Sequence, residues 1–408
     1  MRRPKDPSGR PQVTPGAPAQ VTPGAPAQVT PGTPAQVTPG TPARRSRRGH
    51  PPDTRHRLDT VLDLVPLARF GDRVATGLLD VTGDPAALDS TGFWAVAADF
   101  EGRLTCARFA DVREQPVPAP VPGAWRGPAA GDWTSSLDRA AYTAGVRRIR
   151  EHIAAGEVYQ ANLCRVLSAP VGPDADVDAL TALLARGNPA PYAGTIRLPE
   201  HGVEIATASP ELFLRREGRT VESGPIKGTG RTEADLQEKD YAENVMIVDL
   251  VRNDIGRVCA TGSVTVPELC VVEKHPGLVH LVSTVRGTLR DGAGWPETLA
   301  AAFPPGSVTG APKSSALRII DALETAPRGP YCGGIGWVDA DRGVGELAVG
   351  IRTFWIDRAC GDGPLLRFGT GAGITWGSDP EGEWRETELK ASRLLAVASG
   401  TYEAMERD

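Results

Sequence analysis

Four groups of residues in this sequence have the types and spacing to do chemistry. Asp240 and Glu243 stand three apart, as do Glu383 and Glu386, and at that interval each pair shares one helix face. Carboxylate oxygens without histidine or cysteine suit a hard ion that keeps its waters, which points to Mg2+. Taken alone, each pair reads more readily as a solvated helix face, because charged i,i+3 positions are common. The run 225–229 (PIKGT) sets Lys227 and Thr229 around Gly228, where backbone N–H groups can approach a carboxylate or phosphate. Its order is not that of a Walker A loop, and an exposed turn lysine is the plain alternative. The run 306–313 (GSVTGAPK) leads into a helix starting at Pro312, which leaves free backbone donors at the helix start. The run 369–373 (GTGAG) ends a strand just before the second acidic pair, and Gly371 and Gly373 would admit a ligand close to the backbone. A tight turn explains either glycine run as well.

These residues need elements to hold them. Apolar spacing predicts helices over 140–155, 234–251, 312–324 and 380–398. Gly156 stops the first, and Ser378-Asp379-Pro380 gives the last a cap and a proline at its first position. Strand-like runs fall at 93–100, 103–109, 204–208, 212–215, 331–338, 347–355 and 365–368. Strands at hairpin-length gaps with helices set apart predict an α+β fold, largely antiparallel sheet with helices outside. There is no regular βαβ series, which argues against a doubly wound nucleotide-binding fold.

The chain has 408 residues, 40% hydrophobic and 23% charged, enough for one large core or two smaller ones. Residues 12–43 are four copies of an eight-residue unit (QVTPGAPA twice, QVTPGTPA twice) that has almost nothing apolar to bury. A disordered arm with a basic cluster is expected over 1–50, a short N-terminal part of the body over 51–130, and a catalytic domain over 131–400. A Pro-rich connection at 115–128 reads as a surface crossing. The net charge is -5 although residues 1–50 carry eight Lys or Arg and one acid, so the body is acidic. An acidic body argues against nucleic acid as the main partner. No apolar run approaches the roughly 20 residues that span a bilayer, and no secretory signal is read. Six cysteines without a CxxC pair fit reduced thiols in a cytoplasmic protein.

Taken together and in order, these pieces resemble one family. From 149 to 395 the chain is similar to the chorismate-binding catalytic domain shared by anthranilate, aminodeoxychorismate, isochorismate and salicylate synthases. The matching stretches are GEVYQANL (156–163), ASPELF (208–213), PIKGT (225–229), AENVMIVDLVRNDIGR (242–257), AFPPGSVTGAPK (302–313), residues 351–353, 369–374, and EWRETELK (383–390). The resemblance implies two stacked, largely antiparallel β-sheets with helices packed outside and the active site in the cleft between them. It makes Glu243 and Glu386 direct Mg2+ ligands, with Asp240 and Glu383 supporting through water, and the ion would hold the ring carboxylate of chorismate. Gly228, Thr229 and Gly373 would contact carboxylates, with Lys390 a cation nearby. Tyr331 and Arg352 would hold the enolpyruvyl carboxylate, which arginine can bind as a fork. His280 and Thr309 fall near the leaving hydroxyl, although a satisfied core histidine is the alternative for His280.

Within the family the first step expels the 4-hydroxyl of chorismate, and Glu211 matches the position of the general acid that must protonate it. Members that add water carry a lysine base where this chain has Gln160, and a glutamine cannot deprotonate water. Anthranilate synthases have alanine where this chain has Lys227. Lys227 therefore resembles the aminodeoxychorismate synthases, in which a lysine amine attacks C2 and ammonia then displaces it at C4. The product would serve p-aminobenzoate and folate synthesis. The chain has no GxCxG glutaminase nucleophile, so a separate glutamine amidotransferase is the expected partner. The alternatives are anthranilate synthase component I and a non-catalytic scaffold subunit. No tryptophan-binding feedback element is recognised.

Overall fold

The computed structural model describes residues 64–401 except Pro122, Arg231, Pro276 and Gly277. The repeat arm, its basic cluster and residues 51–63 lie outside the described residues. Six α-helices are used below: α1 (Arg139–Ala154), α2 (Val177–Gly187), α3 (Glu238–Gly256), α4 (Trp295–Ala302), α5 (Lys313–Leu323) and α6 (Pro380–Ala398).

Every strand pairing among the described residues is antiparallel. One half of the ladder runs from Thr265–His275 through Leu278–Thr288, Thr220–Gly224, Leu212–Glu217, Val344–Val349, Gly334–Asp339 and Phe93–Ala98 to Leu104–Glu114. The other runs from Leu67–Phe70 through Tyr192–Leu198, Val203–Ser209, Thr353–Asp357 and Leu365–Ile374 to Gln160–Pro170. The halves stack: Trp94, Val96, Ile335 and Leu347 from one share a buried cluster with Cys164, Val166, Ile196 and Ile205 from the other. The α+β expectation of two stacked antiparallel layers is met, with one addition. Arg73–Thr82 pairs with both Leu67–Phe70 and Leu104–Glu114, so hydrogen bonding continues from one layer into the other.

Strand periodicity explains where the helices go. Ile205 and Val166 face the inter-sheet core, whereas their neighbours Ala206 and Leu167 face a second cluster built with Leu180 and Leu184 of α2 and Leu394 and Val397 of α6. Both helices thus cover the outer face of one layer. Residues 64–130 supply strands to the same ladder, and 115–128 crosses the surface, where Trp125 Nε1 donates to the Ala398 carbonyl at 2.7 Å. All six cysteines are free thiols. No helix among the described residues is long and apolar enough to cross a membrane.

Two differences from the sequence expectation bear on the site. The run 347–355 is not one strand: it breaks at 350–352, where Arg352 takes φ 53. The helix expected from 234 begins at Glu238, because 233–235 forms a separate short turn, and it extends to Gly256. Asp240 then falls in the first turn, where its Oδ2 accepts the Gln237 N–H at 2.8 Å. Its local task is to cap α3.

Candidate active site

Glu211 sits at the corner between Val203–Ser209 and Leu212–Glu217. Ser209 Oγ fixes that corner by donating to the Val349 carbonyl at 2.6 Å and accepting the Glu211 N–H at 3.2 Å. The Glu211 side chain is buried, and burial pushes its carboxyl up to about 7, against the pull of a Ser307 hydrogen bond, the Lys227 charge and a backbone hydrogen bond from Ile226. A carboxyl poised near neutrality can deliver a proton at physiological pH.

Lys227 lies on the strand Ile226–Gly230, whose register against Leu278–Thr288 slips between Lys227 and Thr229. Gly228 forms that irregularity at φ 74, and a methyl there would press to 2.9 Å from Asp240 Cβ, so glycine is required. Lys227 Nζ donates to the Ser307 carbonyl at 3.2 Å, and Asn162 Nδ2 donates to the same oxygen at 3.3 Å. One residue of the short turn Gly306–Val308 therefore touches Glu211, Lys227 and the strand Gln160–Pro170. Ser307 and Asn162 were not singled out in the sequence. Asn162 is two residues beyond Gln160 and so faces the same way on a strand, a signal that period-two reading could have used.

Gln160 is fully buried, and among the described residues neither its Oε1 nor its Nε2 has a hydrogen-bond partner, nor does Asn162 Oδ1. Gly373 lies opposite Asn162 across the ladder, and a methyl at 373 would stand 2.2 Å from Gln160 Nε2 and 3.2 Å from Asn162 Oδ1. The Gln160 amide thus packs directly against the bare Cα of Gly373.

The carboxylates meet across α3 and α6. Glu243 is pushed up by burial, with Asp240 and Glu386 adding repulsion while Lys227 and Lys239 pull down. Glu383 is likewise raised, first by burial, with Ser378 and Lys390 opposing and Glu386 and Glu243 adding to it. Glu386 is held low: burial pushes it up, but Lys390, with Lys239 and Lys227 beyond, outweighs that. Lys390 Nζ pairs with Glu386 Oε1 at 2.7 Å and donates to the Gly371 carbonyl at 3.1 Å. Asp379 and Pro380 start α6 as the sequence implies, with Asp379 Oδ2 accepting the Gly382 N–H at 2.7 Å. No three His, Cys, Asp or Glu among the described residues cluster closely enough to hold an ion by themselves.

The remaining expected residues divide. Arg352, half-buried and in the left-handed region, is lowered by burial alone, and among the described residues nothing pairs with its guanidinium. A half-buried guanidinium without a described partner, on a left-handed backbone, suits a carboxylate. Tyr331 is buried against Gly369, its hydroxyl 3.9 Å from Cys164 Sγ. Thr309 spends its hydroxyl within its own turn, donating to the Pro305 and Gly306 carbonyls. His280 is buried in the strand Leu278–Thr288, its backbone opposite Thr229 and Glu273. A cavity of about 500 Å3 near Phe70, Tyr192 and Trp337 contains none of these residues.

The sequence pattern of chorismate binding enzymes matches residues 86–396. The chain belongs to the chorismate binding enzyme family. Among family members it is 42% identical over 284 residues to anthranilate synthase component 1 of Streptomyces coelicolor, covering 67% of this chain and 54% of that protein. It is 40% identical over 276 residues to aminodeoxychorismate synthase component 1 of Escherichia coli, covering 65% of this chain and 59% of that protein. The chain thus spans little more than half the length of these relatives, and overall identity does not separate the two activities. The menaquinone-specific isochorismate synthase of Escherichia coli shares the fold, with a TM-score of 0.68 at 19% identity over 82% of this chain and 88% of that one.

Proposed function

We propose that this family member aminates chorismate to 4-amino-4-deoxychorismate, for p-aminobenzoate and folate synthesis. The observation that carries the reading is the lysine at 227, tied to Ser307, which also bonds the buried acid Glu211. Ammonia attacking the ring directly, as in an anthranilate-forming reaction, would leave that lysine no chemical task.

The neutral Lys227 amine forms a bond to C2 as the ring double bond shifts and the C4–O bond breaks. Glu211 gives its proton to the departing hydroxide, which leaves as water. Ammonia then bonds to C4, the double bond shifts back, and the C2–N pair returns to the lysine. The surplus proton on the new amine passes to the Glu211 carboxylate, restoring the acid. Arg352 supports the reading as the cation for the enolpyruvyl carboxylate, which Tyr331 would help to hold. Gly228, Thr229, Gly373 and Lys390 would line the remainder, and His280 and Thr309 would shape the leaving-group side.

Glu243 and Glu386 would hold Mg2+, with Glu383 and Asp240 beside them. Their all-oxygen donor set fits an ion that commonly takes one or two carboxylates and leaves its other positions to water and substrate. The ion would fix the ring carboxylate and offset the mutual repulsion of these acids. Ammonia would come from a separate glutamine amidotransferase. The reading is tested by incubating the chain with chorismate, Mg2+ and ammonium and identifying the product by chromatography and mass. Formation of 4-amino-4-deoxychorismate supports it, and anthranilate refutes it.

A further inference from the structure

Next to Glu243 on α3 stands a polar residue that the helix buries. Asn244 is fully buried, together with Ile247, Val248, Val251 and Ile255 of the same helix. Its bonds go to the sheet. Nδ2 donates to the Leu281 carbonyl at 3.1 Å, and Oδ1 accepts from the Ser283 hydroxyl. Leu281 is the residue opposite Lys227 in the ladder, and the Ser283 N–H donates to the Pro225 carbonyl at 3.1 Å. Asn244 thus grips the strand Leu278–Thr288 at two points where that strand holds the segment carrying Lys227.

A second observation falls on the same spot. Cys270, on the outermost strand Thr265–His275, takes φ 55 where the register against Leu278–Thr288 shifts. A non-glycine residue in the left-handed region is strained, and such strain persists only where the surroundings enforce it. Here the Cys270 N–H donates to Ser283 Oγ at 2.8 Å, and Cys270 Sγ lies 3.6 Å from Asn244 Oδ1. One helix and two strands therefore converge on one carboxamide.

We propose that Asn244, held by Ser283, is a positioning residue that registers α3 on the strand paired with Lys227, so that the Glu243 carboxylate and the Lys227 amine keep one separation. The inference rests on the proposed amination, in which Glu243 holds the ion that fixes the ring and Lys227 attacks that ring. The two sit on different elements, α3 and the strand Ile226–Gly230, and the ion needs Glu386 of α6 as well. Apolar contact is non-directional and lets a helix turn or slide slightly. Hydrogen bonds from one carboxamide to two points on a strand are directional, and a satisfied buried network specifies one arrangement. A misplacement of about 1 Å costs on the order of 10²-fold in rate. Asn244 acts through its chain neighbour Glu243 and takes no part in bond making.

The test compares the full chain with Asn244→Leu, Ser283→Ala and the double variant. Mg2+ uptake is read by calorimetry without chorismate, and kcat with chorismate and ammonium. Asn244→Leu keeps the shape and removes the bonds; Ser283→Ala is the milder change, since it leaves the Asn244–Leu281 bond in place. Asn244→Leu is expected to bind Mg2+ roughly tenfold more weakly, the low end for a group that orients a metal ligand. Its kcat is expected to fall by roughly ten- to a hundredfold. Ser283→Ala should shift both values in the same direction by less. The double variant should match Asn244→Leu alone, because the two residues act as one unit. Folded variants with wild-type Mg2+ uptake and kcat would overturn the inference, as would losses that simply add in the double variant. Wild type releasing anthranilate would refute the proposed product and leave the inference to be decided by Mg2+ uptake. Wild type taking up no Mg2+ would remove the inference along with the ion site.

Discussion

The Ser307 carbonyl oxygen holds Lys227 at 3.2 Å, while the Ser307 hydroxyl bonds the Glu211 carboxylate. The two contacts use different atoms of one residue and can be separated. Ser307→Ala removes the hydroxyl and keeps the carbonyl, so the lysine stays anchored. The hydroxyl bond favours the charged carboxylate, and its loss raises the Glu211 pKa from about 7. An acid that must be protonated works below its pKa and fails above it. The alkaline limb of kcat/KM is therefore expected to move to higher pH in Ser307→Ala. A fall in rate with the limb unmoved would mean that Ser307 only packs the turn.

Burial of Glu211 also sets a pH dependence of stability. Its carboxyl rises from 4.5 to about 7 on folding, so its contribution is full below 4.5 and is lost as pH climbs through 7. A shift of that size corresponds to about 3 kcal/mol. Glu211→Gln is expected to melt higher than wild type at pH 8 and to lose that advantage near pH 4. Its turnover should fall by roughly 10²–10⁴-fold, the usual worth of a general acid. Thermal unfolding across pH 4–9 checks the first point, and a constant difference between the two proteins would contradict it.

Much of this arrangement could be read before the fold was known, and the exceptions have physical causes. The caps of α6 and the end of α1 at Gly156 were legible because Asp, Pro and Gly act locally. The motifs bearing Lys227, Glu211, Glu243 and Glu386 carry family resemblance, so their residues could be named without coordinates. Arg352 could not be foreseen at a strand break, since nothing local marks an arginine for φ 53. The capping of α3 by Asp240 was not foreseen, because i,i+3 spacing is shared by ion sites and helix caps. Helices α2 and α4 were passed over, and α4 holds only eight residues, too few for a clear period. Ser307 acts partly through its backbone carbonyl, which leaves no mark on residue type.

Turnover is expected to stop when divalent ions are chelated and to return with Mg2+. Glu386→Gln removes one carboxylate of the pair and the partner of Lys390. It should raise the Mg2+ concentration for half-maximal rate by an order of magnitude or more, in the range seen for altered metal sites. Activity measured against Mg2+ concentration checks this; an identical Mg2+ dependence in the variant would move the ion elsewhere.

The central claim is that Lys227 bonds to the substrate ring, and intact mass during turnover addresses it directly. The chain is mixed with chorismate and Mg2+ without ammonia, quenched, weighed and peptide-mapped. The expected result is a mass increase equal to chorismate less one water, located on the peptide containing Lys227 and absent from Lys227→Ala. An aminated product formed on adding ammonia, with no adduct at Lys227 before it and full activity in Lys227→Ala, would contradict it.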